Sequence, residues 1–143
     1  MKLHIITIGQ PKLDYAASGW NEYWTRLGHY HQLRVSHIPD RQNDAAHLLA
    51  AAGTSYKVAL VIEGQPLSSA DLAQFLQKRQ LEARELSLLI GGPEGLPETV
   101  INQADFRWSL SELTFPHDLA MVVLLEALYR ASTINAGHPY HRA

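Results

Sequence analysis

Three stretches of the chain concentrate groups that can do chemistry. The tail His138-Pro139-Tyr140-His141-Arg142 sets an imidazole base, a phenol and a guanidinium side by side. Imidazole exchanges protons near neutral pH, and guanidinium grips a phosphate or a base edge. Chain ends commonly fray, yet frayed ends seldom carry His, Tyr and Arg so densely. His138 and His141 also have H-x-x-H spacing. No Cys or carboxylate nearby completes a ligand set, and a proline-containing tail is poorly preorganised, so no metal is expected. Arg130 stands alone in an apolar helical stretch. It reads either as an anion or RNA contact, across a dimer interface, or as a salt bridge to Glu126 four residues earlier.

The second stretch is Gly91-Gly92-Pro93-Glu94-Gly95, directly after a strand-like run. Glycines there let a ligand approach backbone N–H groups closely. The pattern is neither G-x-G-x-x-G nor a P-loop, so dinucleotides and nucleoside triphosphates are not favoured. A tight strand-to-helix connection is the simpler reading. The third stretch, Ser109 to His117 (SLSELTFPH), mixes leucines with hydroxyls. It can sandwich an adenine ring and read its edges through the backbone, or it is an ordinary loop before a helix.

Other candidates carry less. His29-x-His31 falls at a turn and is expected to be solvated. His4 and His37 fall in strands, as satisfied core or edge residues. The aromatics of 15–30 are a stacking surface for bases or, more simply, helix packing. Carboxylate pairs with glycosidase spacing and nucleophile elbows are absent.

These groups need a scaffold. The 143 residues (16.0 kDa) suit one domain. Apolar residues are 46% and charged residues 18%, a globular balance. The absence of cysteine excludes disulfides, zinc-thiolate sites and a thiol nucleophile. Net charge is −2 and pI near 6.4, so bulk positive charge does not drive nucleic-acid binding. The longest apolar run, Leu119 to Leu125, is short of the ~20 residues of a membrane span. The start lacks signal-peptide character. A cytoplasmic protein without a membrane role is expected.

Strand and helix patterns alternate. Strands are expected at 2–8, 32–38, 57–62, 85–90 and 106–110. Helices are expected at 14–27, 45–52 (capped by Asn43 or Asp44), 69–82 (capped by Ser68 or Ser69), 97–103 and 117–136. Alternation argues for an α/β fold with a mostly parallel sheet flanked by helices. Ligands of such sheets bind beyond the carboxyl ends of the strands, which groups the loops at 63–66, 91–95 and 111–116. The last helix is apolar nearly all round. Its own sheet covers one face, and a second copy is expected on the other.

Together these blocks resemble the ribosomal RNA large subunit methyltransferase H family. That family belongs to the SPOUT class of S-adenosylmethionine-dependent methyltransferases. The likeness rests on LLIGGPEG, WSLSELTFPH, LLEALYRA and terminal HPYHR, in that order, with MKLHIITIGQPK and LVIEGQPLSS also similar. It covers the whole chain and is looser over 28–56. It implies a single SPOUT domain over 1–143 with a C-terminal trefoil knot, working as a homodimer. It implies that Leu60, Gly91, Leu110, Ser111, Glu112, Leu113, Thr114 and Phe115 line the S-adenosylmethionine pocket. The implied reaction is methylation of pseudouridine N3 in large-subunit (23S) rRNA within the assembled ribosome, without a metal. By the same resemblance one subunit's tail completes the other's site. His141 would orient the target base or take its proton, Arg142 would hold RNA or offset charge, and Tyr140 would pack on the base. Two departures stand out. Met121 occupies the place where the family usually has Arg, and 40–56 is shorter and less basic. Rival readings are a knotted-fold methyltransferase acting on tRNA and a non-catalytic ribosome-binding factor.

Overall fold

Near-continuous apolar runs become strands in this protein, and every pairing between them is parallel. The computed structural model describes residues 1–142. The strands β1 (Lys2–Ile8), β2 (Gln32–Ile38), β3 (Tyr56–Pro66), β4 (Leu86–Ile90) and β5 (Phe106–Ser109) form one sheet in the order β2-β1-β4-β3-β5. Its middle explains the β4 sequence. All five residues of LSLLI are buried, because both faces of a parallel sheet are covered by helices.

The helices are α1 (Asp14–Leu27), α2 (Ala45–Ala52), α3 (Ser69–Gln80), α4 (Glu98–Gln103) and α5 (His117–Ala136). Alternate strand residues point to opposite faces, and the core divides accordingly. On one face Leu3, Ile5, Val58 and Leu88 pack with Trp20 of α1, Leu72 and Leu76 of α3, and Met121, Leu124, Leu125 and Leu128 of α5. On the other, Ile6, Ile8, Ala59 and Leu89 pack with Leu48 of α2 and Val100 of α4. Each fully buried Leu or Ile contributes about 1.5–3 kcal/mol.

Local signals place the helix starts. The Asp44 carboxylate accepts from the His47 backbone N–H at the head of α2. Ser68 and Asp71 form a reciprocal capping box at α3, a device worth about 1 kcal/mol. The helix α5 has the length and apolarity of a membrane span. Here its Met121, Leu124, Leu125 and Leu128 are fully buried within the domain.

Two expectations are corrected. Residues 63–66 are not a free loop. They continue β3 to Pro66, and Trp108 of β5 aligns with both Leu60 and Gln65, so the intervening residues bulge out. The crossing is tight at Gly64, where a Cβ would lie 2.8 Å from the Arg107 and Trp108 backbone. The second correction concerns His31, which is not a solvated turn residue. Its Nε2 lies 2.8 Å from Ser132 Oγ in α5.

Candidate active site

A cleft of about 480 Å³ opens where β3, β4 and β5 end. That volume suits a small nucleoside-like molecule. One wall is Leu60 to Glu63, the bulge of β3. A second is Ile90 to Leu96, the turn after β4. The third is Leu110, Ser111, Leu113, Thr114 and Phe115, before α5, with His117 and Ala120 behind them.

The turn after β4 is held by its own backbone. Gly92 and Gly95 bridge each other, with the Gly95 N–H donating to the Gly92 carbonyl at 2.9 Å. A Cβ on Gly91 would fall 2.4 Å from the Gly95 carbonyl carbon. No side chain fits there, so Gly91 is required by the loop's closure on itself as well as by access to a ligand.

The third wall is tied through its hydroxyls. Ser109 Oγ donates to the Ser111 carbonyl at 3.0 Å, and Ser111 Oγ accepts from the Leu113 N–H at 3.0 Å. The loop thereby presents Leu113 outward, 70% exposed, beside the cleft. At the head of α5, His117 Nε2 donates to the Ile8 carbonyl at 2.6 Å. The buried Asp118 carboxylate accepts from the Lys12 and Leu13 N–H groups at 2.8 and 2.7 Å. These bonds fasten the segment after β1 to the first turn of α5, where a negative charge is also favoured by the helix dipole.

Of the residues expected at a cofactor pocket, Leu60, Gly91, Leu110, Ser111, Leu113, Thr114 and Phe115 come together in this cleft. Glu112 does not line it and is exposed. Sequence reasoning missed Val61, Ile62, Ile90, Leu96, Ile101 and Ala120, at which only the apolar β3 run hinted, while His117 fell within the Ser109 to His117 stretch singled out above.

The tail lies elsewhere. Tyr140, His141 and Arg142 are not among the cleft residues. The tail is ordered against α1 and the last turns of α5. The Tyr140 ring meets Tyr129 edge-on at 4.7 Å. Its hydroxyl is 3.4 Å from both Tyr23 Oη and Glu126 Oε1. Burial and the adjacent Tyr23 and Glu126 push the Tyr140 phenol well above its ordinary pKa. Arg130 stacks on the Tyr140 ring with its guanidinium carbon 4.8 Å from the centroid. Its Nε pairs with Glu126 at 2.7 Å, and its Nη1 lies 3.2 Å from His141 Nδ1. The ion pair weighed for Arg130 is therefore present, with two further partners. His138 and Arg142 are exposed.

A larger hollow of about 800 Å³ lies at the opposite end of the strands, between Met1, Lys2, Tyr30, Gln80 and Arg84. Two of its charged side chains are already paired. Glu85 pairs with Arg34, and Arg84 faces Asp105 and Tyr56. The carboxyl-end cleft, with its glycine backbone and hydroxyls, is the better ligand site.

The family model described as "Predicted SPOUT methyltransferase" matches residues 1–141. A ribosomal RNA large subunit methyltransferase H from Deinococcus radiodurans is 50% identical, with 99% of each chain covered. One from Dichelobacter nodosus is 42% identical with both chains fully covered. Among solved structures, a probable methylase family protein from Haemophilus influenzae Rd KW20 superposes with a TM-score of 0.61. It is 11% identical, and 99% of this chain and 70% of that one are covered. TrmJ from Z. mobilis ZM4 gives a TM-score of 0.56 at 12% identity, covering 93% and 70%. These two share the fold. The sequence relatives reach further, and with the cleft assembled from the matching blocks, the chain belongs to the ribosomal RNA large subunit methyltransferase H family of SPOUT methyltransferases.

Proposed function

We propose that this chain is an S-adenosylmethionine-dependent methyltransferase that methylates N3 of a pseudouridine in large-subunit ribosomal RNA. It acts as a homodimer on the assembled ribosome in the cytoplasm. The observation that carries this reading is the carboxyl-end cleft, built from the same blocks that make the chain resemble its relatives. Leu60, Leu110 and Leu113 offer apolar flanks for an adenine. The Gly91 to Gly95 backbone and the Ser111 and Thr114 hydroxyls offer polar edges. That donor set fits a nucleoside bearing an amino-acid tail. When bound, S-adenosylmethionine supplies a methyl group on a sulfonium, an electrophile strong enough that positioning provides much of the rate.

The tail supplies the groups for the target base, and its position supports the dimer. Ala120 lines the cleft, while Arg130, ten residues on, holds His141. Ten helical residues span about 15 Å, so one chain separates its own tail from its own cleft. Leu119, Val123, Ala127 and Ile134 leave a half-buried apolar stripe along α5 between them. Two α5 helices packed antiparallel about a two-fold axis would cover that stripe and bring each tail to the other chain's cleft. There Tyr140 packs on the base, His141 engages the ring, and the exposed Arg142 holds the RNA. RNA contact by Arg130 is a smaller part, since Glu126, His141 and Tyr140 already surround it.

The test has two stages. Calorimetric titration with S-adenosylmethionine should show saturable binding, and sedimentation should give a dimer. Methyl transfer from labelled cofactor to ribosomes that lack the modification should then map to one pseudouridine N3. Binding without transfer to ribosomes, free rRNA or tRNA would favour a non-catalytic ribosome-binding factor. Transfer to tRNA alone would favour the tRNA enzyme.

A further inference from the structure

We propose that Glu126 and Arg130 are positioning residues that hold His141 as its neutral Nε2–H tautomer, so that His141 meets the target base as a hydrogen-bond donor to a ring carbonyl and leaves the N3 proton to water. This rests on the methyl-transfer reading above and decides between the two roles open to His141 within it.

The geometry forces the tautomer. A guanidinium has only donors. The 3.2 Å contact between Arg130 Nη1 and His141 Nδ1 therefore uses the Nδ1 lone pair. A neutral imidazole with Nδ1 accepting carries its single hydrogen on Nε2. Among the described residues, no hydrogen bond engages Nε2. Arg130 itself is held in place from two directions, by Glu126 Oε1 at its Nε and by the Tyr140 ring beneath its plane. Among the described residues, the other charged and titratable groups around the cluster are Tyr23, Tyr129, Arg26 with its partner Glu22, and the neighbouring His138 and Arg142 of the tail itself. Protonating His141 would set an N–H and a positive charge against the guanidinium.

The chemistry then follows. N3 of a uracil-type ring lies between two carbonyls. When its proton leaves, negative charge spreads onto both oxygens. A donor aimed at one of them stabilises the charge as it forms, in the manner of an oxyanion hole. An Nε2 that already holds a hydrogen has no lone pair with which to take the N3 proton. Water or hydroxide accepts that proton. The N3 lone pair then forms the N–CH3 bond as the S–CH3 bond breaks, leaving a neutral thioether.

The test begins on the free full-length protein. With 15N-labelled histidine, long-range 1H–15N correlations distinguish the Nε2–H form from the Nδ1–H form and from imidazolium. His141 is assigned by loss of its signals in His141→Ala. At pH 7.5 it should be the Nε2–H tautomer, and Arg130→Met should convert it to a mixture of the two neutral tautomers. Glu126→Gln should shift it part of the way. An Nδ1–H form or an imidazolium in the unsubstituted protein overturns the proposal. The second arm is single-turnover transfer to unmodified ribosomes. Gln can replace a donor but not a base, so His141→Gln should retain transfer within about tenfold, whereas His141→Ala should lose about 100- to 1,000-fold. Rates should rise with pH through 8.5 with a slope near one. A plateau starting near pH 7, or Gln no better than Ala with the fold and cofactor affinity intact, overturns it. If the unsubstituted protein transfers no methyl group to any RNA, the functional reading fails, while the tautomer assignment is still read by resonance.

Discussion

The two ends of α5 are built from different materials. At the N-terminal end, the cleft is shaped by backbone: a glycine turn folded onto itself, a bulged strand and a hydroxyl-tied loop. At the C-terminal end, the tail is held by side chains: Tyr140 on Tyr129, Arg130 on Tyr140, Glu126 on Arg130. Backbone construction tolerates little, because an added methyl group collides with atoms that cannot rotate away. Side-chain construction can be dismantled one contact at a time. Substitutions at the first end should therefore damage fold and cofactor binding together. Those at the second should damage transfer and spare both.

The sharpest break is expected at Gly91. Gly91→Ala places a carbon 2.4 Å from backbone, so the turn must open. Calorimetry should show cofactor affinity reduced by at least 100-fold, and the melting temperature should fall with a loss of about 2–3 kcal/mol. A variant that binds normally would mean that the loop can relax and that the cleft is less rigid than its geometry implies. At the tail, Tyr140→Ala should lower transfer by about 100-fold while cofactor affinity stays within twofold, since it releases Arg130 as well as the base contact. Equal losses in both would erase the contrast between the two ends.

A third substitution lies at the N-terminal end of α5 but outside the cleft lining. Asp118→Ala removes a buried carboxylate that accepts two backbone N–H groups. Bonds to charged acceptors are worth about 1.5–3 kcal/mol, and the stranded donors add to the loss. Denaturant unfolding should show about 2–3 kcal/mol less stability. Cofactor binding should weaken only slightly, because the residues after β1 do not line the cleft.

Much of this was legible in the chain. Buried parallel strands have continuous apolar runs, so 2–8 and the run at 86–90 stand out, the edge strand 32–38 shows instead by alternation of apolar and polar residues, and caps such as Ser68 with Asp71 mark helix starts. The glycine turn and the SLSELTFP loop announce themselves by composition. What escaped has distant causes. Glu63-Gly64-Gln65-Pro66 reads as a loop, because what makes it strand is the pairing with Trp108 and Ser109 on β5. His31 reads as a turn histidine, because Ser132 is 101 residues away. The tail's composition reads as functional, but what it packs against does not show, because Tyr23 and Tyr129 come to it from different helices.

The smallest effect sharpens the comparison from outside both ends. Ser132 Oγ donates to the Leu128 carbonyl, so it accepts from His31 Nε2–H, which leaves Nδ1 bare and buried without a partner. Burial, assisted by the N-terminal ammonium, lowers the His31 pKa to about 4. His4 and His37 are lowered as well, chiefly by burial. Well above pH 6.5 these rings are neutral in folded and unfolded chains alike, and stability does not depend on them. As pH falls below 6.5 the unfolded chain takes up protons that the folded one refuses, so stability declines toward pH 4. After allowance for its partial exposure, His31 accounts for about 1–2 kcal/mol of that decline. The Glu85 carboxylate, held below its usual range by Arg34, adds its loss only at the acid end of this window. Denaturant midpoints measured from pH 7.5 to 4.5 should fall for the unsubstituted protein and fall less steeply for His31→Gln. Tail and cleft substitutions should shift the whole curve or leave it in place without changing that slope. If His31→Gln leaves the slope unaltered, the ring is wetter than its bond to Ser132 implies, and the acid limb belongs to His4 and His37.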